Sequence, residues 1–193
     1  MSAHRDQPPA QPARRRVIWL GAGAGLAAGF GPLTSAVAQG NPVRPKPGDW
    51  LAVDDTEGKP VALTLADVRP GKPVLAYPFE PAAAQARSDS RLNKVVLVRV
   101  AETDLDAASR ALAAGGVLAF SAVCTHQACD VKTWIAADKS LVCFCHASRF
   151  MPLEGARVAA GPAPRALPAL PLKLDGERLV VAGTFSTPPG SAA

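Results

Sequence analysis

Aromatic residues are scarce in this chain of 193: they make up 5%, with a single tyrosine. Any core must therefore lean on smaller apolar side chains, and alanine and valine dominate the 48% hydrophobic content. With 19 prolines and 16 glycines alongside, that mix favours short strands and many turns over long helices. Basic clusters are lacking outside the N-terminus. Arg5, Arg14, Arg15 and Arg16 against Asp6 alone account for three of the five formal positive charges. No later Lys/Arg cluster with interleaved aromatics follows, which excludes a nucleic-acid surface. There is no internal repeat, and Asp54, Asp55 and Glu57 lack the spacing and following glutamate of a calcium loop. They read as a turn.

Long apolar runs are also few, and one lies near the start. "MSAHRDQPPAQPA" is polar and Pro-rich, so no packed structure is expected of it. It is followed by "RRRVIWLGAGAGLAAGFGPLTSAVAQG", a charged region, an apolar region and the small-residue site Ala36–Ala38, the layout of a secretory signal. Arg14 and Arg15, followed by x-Val17-Ile18, resemble a twin-arginine signal. Cleavage after Ala38 is one expectation for residues 1–38. The other is a retained membrane anchor, since Val17 to Ala38 is 22 residues without a charge, about enough to span a bilayer. In both cases the folded part faces the periplasm. Residues 39–49, "QGNPVRPKPGD", read as a Pro-rich linker, and residues 186–193 as a flexible tail.

From Trp50 onward, short apolar runs alternate with turn signals. "WLAV", "VALTL", "KPVLAY", "KVVLVRV", "GVLAFSAV", "SLVCF", "LPLKL" and "RLVVAG" read as strands, and Asp175-Gly176 predicts a hairpin between the last two. "AETDLDAASRALAAGG" predicts one helix, capped near Thr103 or Asp104 and closed by Gly115. "YPFEPAAAQARSDSRLN" reads as a loop. The expected fold class is all-β.

Cysteine and histidine are few, four and three, and they are not scattered. "CTHQAC", Cys124–Cys129, and "CFCHASRF", Cys143–Phe150, hold every cysteine and two of the three histidines. Cys124-x-His126 and Cys143-x2-His146 are two tight pairs of ligand-type side chains, which points to a metal site. A structural Cys2His2 zinc site is the plain reading. It leaves Cys129 and Cys145 over, one in each box, and a disulfide between them is permitted in an exported protein.

The two boxes and their spacing resemble those of the Rieske iron–sulfur proteins, over roughly Leu92 to Gly183. The subgroup is the one with a loop-bridging disulfide, which includes the Rieske subunits of cytochrome bc complexes and the small subunit of arsenite oxidase. The resemblance implies an antiparallel β sandwich over residues 50–185, with a small cluster-binding part at about 121–165. It implies one Rieske-type 2Fe-2S cluster, with Cys124 and Cys143 on one iron, His126 and His146 on the other, and Cys129 joined to Cys145. Gly161 and Pro162, in "GPAP", match the proline-containing loop that covers the cluster.

Two imidazoles in place of two thiolates remove negative charge, which raises the potential to about −150 to +300 mV from about −400 mV. One electron and one proton can then leave a donor together. Ser148 stands where the family places a hydroxyl donor to a bridging sulfide. Phe150 stands where high-potential members carry a tyrosine, so a potential in the lower part of that range is expected. Gln127 and Ala128 depart from the apolar residue and glycine usual in quinol-oxidising members. Ala128 and Ala147 both replace frequent glycines, which demands negative φ or strain.

The expected function is a one-electron carrier subunit of a periplasm-facing respiratory oxidoreductase of quinol–cytochrome c reductase type. Its expected partners are cytochrome b/c subunits, with quinol as a further candidate. The alternatives are a subunit of a molybdenum enzyme such as arsenite oxidase, or a stand-alone ferredoxin. A ring-hydroxylating oxygenase is excluded. Its non-haem iron takes two histidines and a carboxylate, and beyond the boxes only His4 remains. Catalysis by this chain alone is not expected. Arg149 and Lys132 lie beside the boxes, where they can meet an acidic partner or simply face water.

Overall fold

The computed structural model describes residues 44–191. The expected signal or anchor and the start of the linker lie outside the described residues. Among those described, no helix is long and apolar enough to cross a membrane.

Two antiparallel sheets make up the domain. The larger one begins with β1 (Trp50–Asp54), β2 (Pro60–Ala62), β3 (Val74–Glu80), β4 (Gln85–Ala86), β5 (Val95–Arg99) and β6 (Val117–Ser121). A separate four-stranded sheet follows in the chain: β7 (Thr133–Ile135), β8 (Ser140–Cys143), β9 (Ser148–Met151) and β10 (Arg157–Ala160). The chain then returns to the first sheet with β11 (Leu172–Asp175) and β12 (Arg178–Val181). The large sheet runs β11-β12-β1-β3-β5-β6, with β2 on β1 and β4 on β3, while the small one runs β10-β9-β8-β7. Among the described residues the fold is all-β apart from one short helix and four 3-10 turns.

Strand β5 shows why the layers pack as they do. "VVLVR" is apolar on both faces, and alternate residues point opposite ways. Val96 and Val98 enter one core with Leu118, Phe120, Leu141, Phe150, Leu167, Cys124 and Cys143. Val95 and Leu97 enter a second core with Leu51, Val117, Leu170, Leu172 and Leu179. The first core joins the small sheet to the large one, and it is roofed by the two boxes. Burying one such Val, Leu or Phe side chain contributes about 1.5–3 kcal/mol, so the boxes stand on a firmly buried apolar base.

The hairpin at Asp175-Gly176 forms as expected, with Asp175 opposite Arg178. The helix α1 (Ala107–Leu112) is shorter than expected and starts later. Its N-cap is Asp106, whose carboxylate accepts the Ser109 N–H at 2.7 Å, and Thr103 and Asp104 belong to a preceding 3-10 turn. "YPFEPAAAQARSDSRLN" is not a plain loop. Strand β3 runs on to Glu80, and Gln85–Ala86 pair back on Phe79 and Glu80.

The turn is fixed by a buried ion pair. Arg87 grips Asp49 through two bonds of 2.6 and 2.9 Å and reaches Glu80 at 3.0 Å. That bond to Asp49 holds the Arg87 guanidinium above its ordinary pKa although burial opposes its charge. Residues 186–190, expected to begin a flexible tail, are hydrogen-bonded into the domain by Ala169 and Arg165.

Candidate metal centre

The first box is a closed loop. The Cys124 N–H donates to the Cys129 carbonyl at 2.8 Å, and the Ala128 N–H to the Cys124 carbonyl at 3.0 Å. Val123 and Asp130 pair at its base, and the Ala122 N–H donates to the Lys94 carbonyl on the large sheet at 2.9 Å. Asp130 adds charge to this footing: its carboxylate takes Arg91 at 2.9 Å and Lys94 at 3.0 Å. Burial opposes the Asp130 charge, and those two bonds more than offset it, leaving its carboxyl below the ordinary range.

The second box is the turn between β8 and β9, with Cys143 paired to Ser148 across it. Tight closure has a conformational cost. Ala128 and Ala147 take φ of 57° and 58°, the left-handed region that costs a non-glycine residue about 1–2 kcal/mol. Of the two possibilities the sequence left for these alanines, strain is the one realised.

The sulfurs of Cys124 and Cys143 lie inside, with the two imidazoles beside them and His146 facing out. Cys124 and Cys143 are unbridged and buried, and Cys143 lies in hydrogen-bonding reach of Cys124. Burial pushes the Cys143 thiol up, while the backbone N–H groups of Cys145 and His146, aimed at its sulfur, act in the other direction. Such amides stabilise a thiolate. His126 and His146 meet edge to face with ring centroids 4.7 Å apart. The His126 Nδ1 is buried with no partner among the described residues, a position that calls for a ligand. His146, by contrast, is exposed.

Cys129 and Cys145 form a disulfide with their Cα atoms 6.5 Å apart, stitching one box to the other. Their sulfurs and that of Cys143 all lie within 4.8 Å of one another. The bridged pair has no thiolate to offer, however, which leaves Cys124, Cys143, His126 and His146 as the four side chains that could hold a metal group. Two buried thiols with amides aimed at one of them, beside an orphaned imidazole nitrogen, fit a group bound by sulfur on its inner side and nitrogen on its outer side.

A third loop closes over the boxes. A Cβ on Gly161 would lie 2.5 Å from Ser148 Cα and 2.7 Å from the Ala147 carbonyl oxygen, so this backbone rests directly on the second box. The Ala163 N–H donates to Ser148 Oγ at 3.2 Å, leaving the buried hydroxyl proton free to point elsewhere. Thr125, wholly buried, donates its hydroxyl to the Arg165 carbonyl at 2.7 Å. Pro162 is exposed on the outer side of the loop.

A model described as a Rieske [2Fe-2S] domain matches residues 80–171. This chain carries a Rieske domain. The disulfide places it in the bridged type, and the domain takes one 2Fe-2S cluster of Rieske type.

The putative respiratory nitrate reductase subunit Rieske of Haloferax mediterranei is 42% identical over 97 residues, 49% of this chain and 43% of the relative. The cytochrome bc1 complex Rieske iron-sulfur subunit of Corynebacterium diphtheriae is 42% identical over 79 residues, 40% of this chain and 20% of the relative. The chain thus spans less than half the length of both. The solved plasma-membrane Rieske protein of Synechocystis PCC 6803 aligns with a TM-score of 0.41 and 26% identity, over 61% of this chain and 93% of the other.

The structure also fixes the surroundings of the Rieske centre. Phe150 is fully buried, opposite Leu141 and Val158 in the small sheet, so it packs the core beneath the boxes. Arg149 is ion-paired with Asp138, which leaves Lys132 as the exposed cation beside the boxes. Phe144, between Cys143 and Cys145, is 71% exposed. Its neighbours on either side are tied down, one in the core and one in the disulfide. Thr125 and Arg165 also went unread, because a hydroxyl–carbonyl bond spanning 40 residues leaves no trace in local spacing.

Proposed function

We propose that this chain is a one-electron carrier, the Rieske subunit of a respiratory oxidoreductase of quinol–cytochrome c reductase type. The observation that carries this reading is the pairing of two imidazoles at one pole, with buried thiols behind them and an exposed aromatic beside them. That is a surface for electron exchange rather than a pocket for substrate turnover. In this reading Cys124 and Cys143 hold the inner iron through thiolates, and His126 and His146 hold the outer iron through neutral nitrogens. When bound, the cluster takes up and hands on one electron at a time. The surrounding chain excludes water from the inner side through Val96, Leu141 and Phe150. It holds the two boxes in register by the Cys129–Cys145 bridge. At the outer side, the exposed His146 is the group that can exchange a proton with a donor.

Ser148 would offer its hydroxyl proton to the bound cluster, and Phe150 has no hydroxyl to donate. A potential in the lower part of the Rieske range follows. Twin-arginine export, a periplasmic position and either cleavage after Ala38 or retention as an anchor complete the reading. Cytochrome b and c subunits are the proposed partners and quinol the proposed donor.

A second reading is favoured by Gln127, exposed at the tip of the first box, and by the relative named as a nitrate reductase subunit. A polar tip suits a protein donor or acceptor better than a quinol pocket, so a subunit of a molybdenum enzyme is the alternative. Low-temperature EPR of the reduced protein tests the carrier reading, since a Rieske centre gives a rhombic signal and zinc gives none. Co-purification from the native membrane, with and without high salt, separates the two complexes. Haem b and c in the partner support the first reading, and molybdenum supports the second.

A further inference from the structure

Arg165 stands where the cover loop, the first box and the C-terminal segment meet. Its carbonyl accepts the Thr125 hydroxyl. Its guanidinium donates to Thr187 Oγ1 at 3.2 Å, the Pro188 carbonyl at 2.8 Å and the Gly190 carbonyl at 2.7 Å. All three acceptors are neutral and lie on one short segment, an arrangement that suits a planar fork of donors better than a single ammonium.

That segment is itself held at both ends. The Ser186 N–H donates to the Ala169 carbonyl at 2.9 Å, and Ser186 Oγ accepts the Ala169 N–H at 3.0 Å. At the far end Gly190 is buried, and a Cβ there would come within 3.2 Å of Leu92 Cδ2. Leu92 follows Arg91, which is ion-paired to Asp130 at the foot of the first box.

We infer that residues 186–190 are a clasp, and that Arg165 is the positioning residue through which the clasp holds the 161–165 loop closed over both boxes. Among the described residues, two hydrogen bonds join that loop directly to the boxes, Ala163 to Ser148 and Thr125 to Arg165. Loops with so few bonds open locally without global unfolding. Three further bonds on the other side of Arg165 oppose that opening. The inference rests on the electron-carrier reading only for its consequence, that a closed loop shields the cluster ligands from water.

The test uses the full-length, cluster-loaded chain. Arg165→Met keeps the aliphatic stem and the carbonyl that Thr125 needs, but removes the fork. Gly190→Val pushes the segment off Leu92 without touching the loop. Hydrogen exchange read by mass spectrometry over residues 161–166 is expected to rise at least tenfold in each variant, since losing even one charge-assisted bond has that effect. Loss of visible absorbance in the presence of a chelator is expected to quicken in step. The double variant is expected to match either single one, because both cut the same clasp, and Arg165→Lys is expected to fall between wild type and Met.

Unchanged exchange over 161–166 in Arg165→Met overturns the inference. So does a rise shared equally by peptides from β5, which would mean general destabilisation, and so does a double variant whose effects multiply. Failure of the ligand assignment has a different signature: Cys124→Ala would retain the cluster, while the exchange readout would be unaffected.

Discussion

Replacing Gly161 by alanine adds one methyl group at the tightest contact of the metal centre. The residue has φ of +86°, and its Cβ would lie 2.5 Å from Ser148 Cα and 2.7 Å from both Ser148 N and the Ala147 carbonyl oxygen. Two costs combine. The backbone conformation costs a non-glycine residue about 1–2 kcal/mol. The contact must open by about 1 Å to reach an ordinary separation of roughly 3.5–4.0 Å. All three struck atoms are backbone, and the loop is tethered behind by β10 on β9. Overpacking of this kind costs about 1–3 kcal/mol, so Gly161→Ala is expected to lose about 2–5 kcal/mol.

The nearest escape is for the loop to lift, breaking the Ala163 to Ser148 bond. Ser148, wholly buried, then loses a partner, at a cost in the same range. Gly155 supplies the control. It also has positive φ, 66°, but nothing lies within 4 Å of its added Cβ, so Gly155→Ala carries strain without collision. Urea titration of both variants in the cluster-loaded state measures the difference. If Gly161→Ala is no less stable than Gly155→Ala, the cover loop does not rest on the second box and the reasoning is wrong.

Phe150→Tyr tests the missing donor: a hydroxyl bonding a ligand sulfur about 1 kcal/mol more strongly in the reduced state raises the midpoint by about 40 mV. Protein-film voltammetry reads it, and an unchanged or lower midpoint counts against the assignment. Phe144→Ser is expected to leave stability within about 0.5 kcal/mol of wild type, yet to slow electron exchange with the native partner tenfold or more, as loss of a docking anchor does. Stopped-flow rates equal to wild type would remove Phe144 from the docking surface.

Asp130→Asn tests the foot of the first box through pH. The Asp130 carboxyl titrates lower in the folded chain than in the unfolded one, so its contribution is present above the unfolded value and fades as pH falls through the folded one. Wild type is therefore expected to exceed Asp130→Asn by about 0.5–1 kcal/mol at pH 7, with the melting curves converging on strong acidification. A gap that persists or widens in acid would contradict the ion-pair account.

How much could be read before folding depended on whether the information was local. Strands such as Val95–Arg99 and Val117–Ser121 announce themselves because apolar runs between turn residues suit few other structures. Strands β7, β9 and β10 did not: Thr133–Ile135, Ser148–Met151 and Arg157–Ala160 carry no sustained apolar run between turn signals. The start of α1 was misplaced because Asp104 and Asp106 offer the same capping chemistry two residues apart, and packing chose the second. The hairpin at β4 was hidden because its anchor is Arg87 on Asp49, 38 residues away.

The chain by itself determined the chemistry of the centre. Thiols and imidazoles at tight spacing point to metal binding, so Cys124, His126, Cys143 and His146 stand out from their spacing as the proposed ligands. Only the tertiary structure decided how they stand: imidazoles edge to face at one pole, thiols buried, a bridge joining the boxes, and a cover loop tied down by Thr125 and Arg165. The reason is physical. Ligand chemistry depends on residue type, which the sequence carries directly, whereas burial, orientation and closure depend on contacts between residues far apart in the chain, which exist only once it has folded.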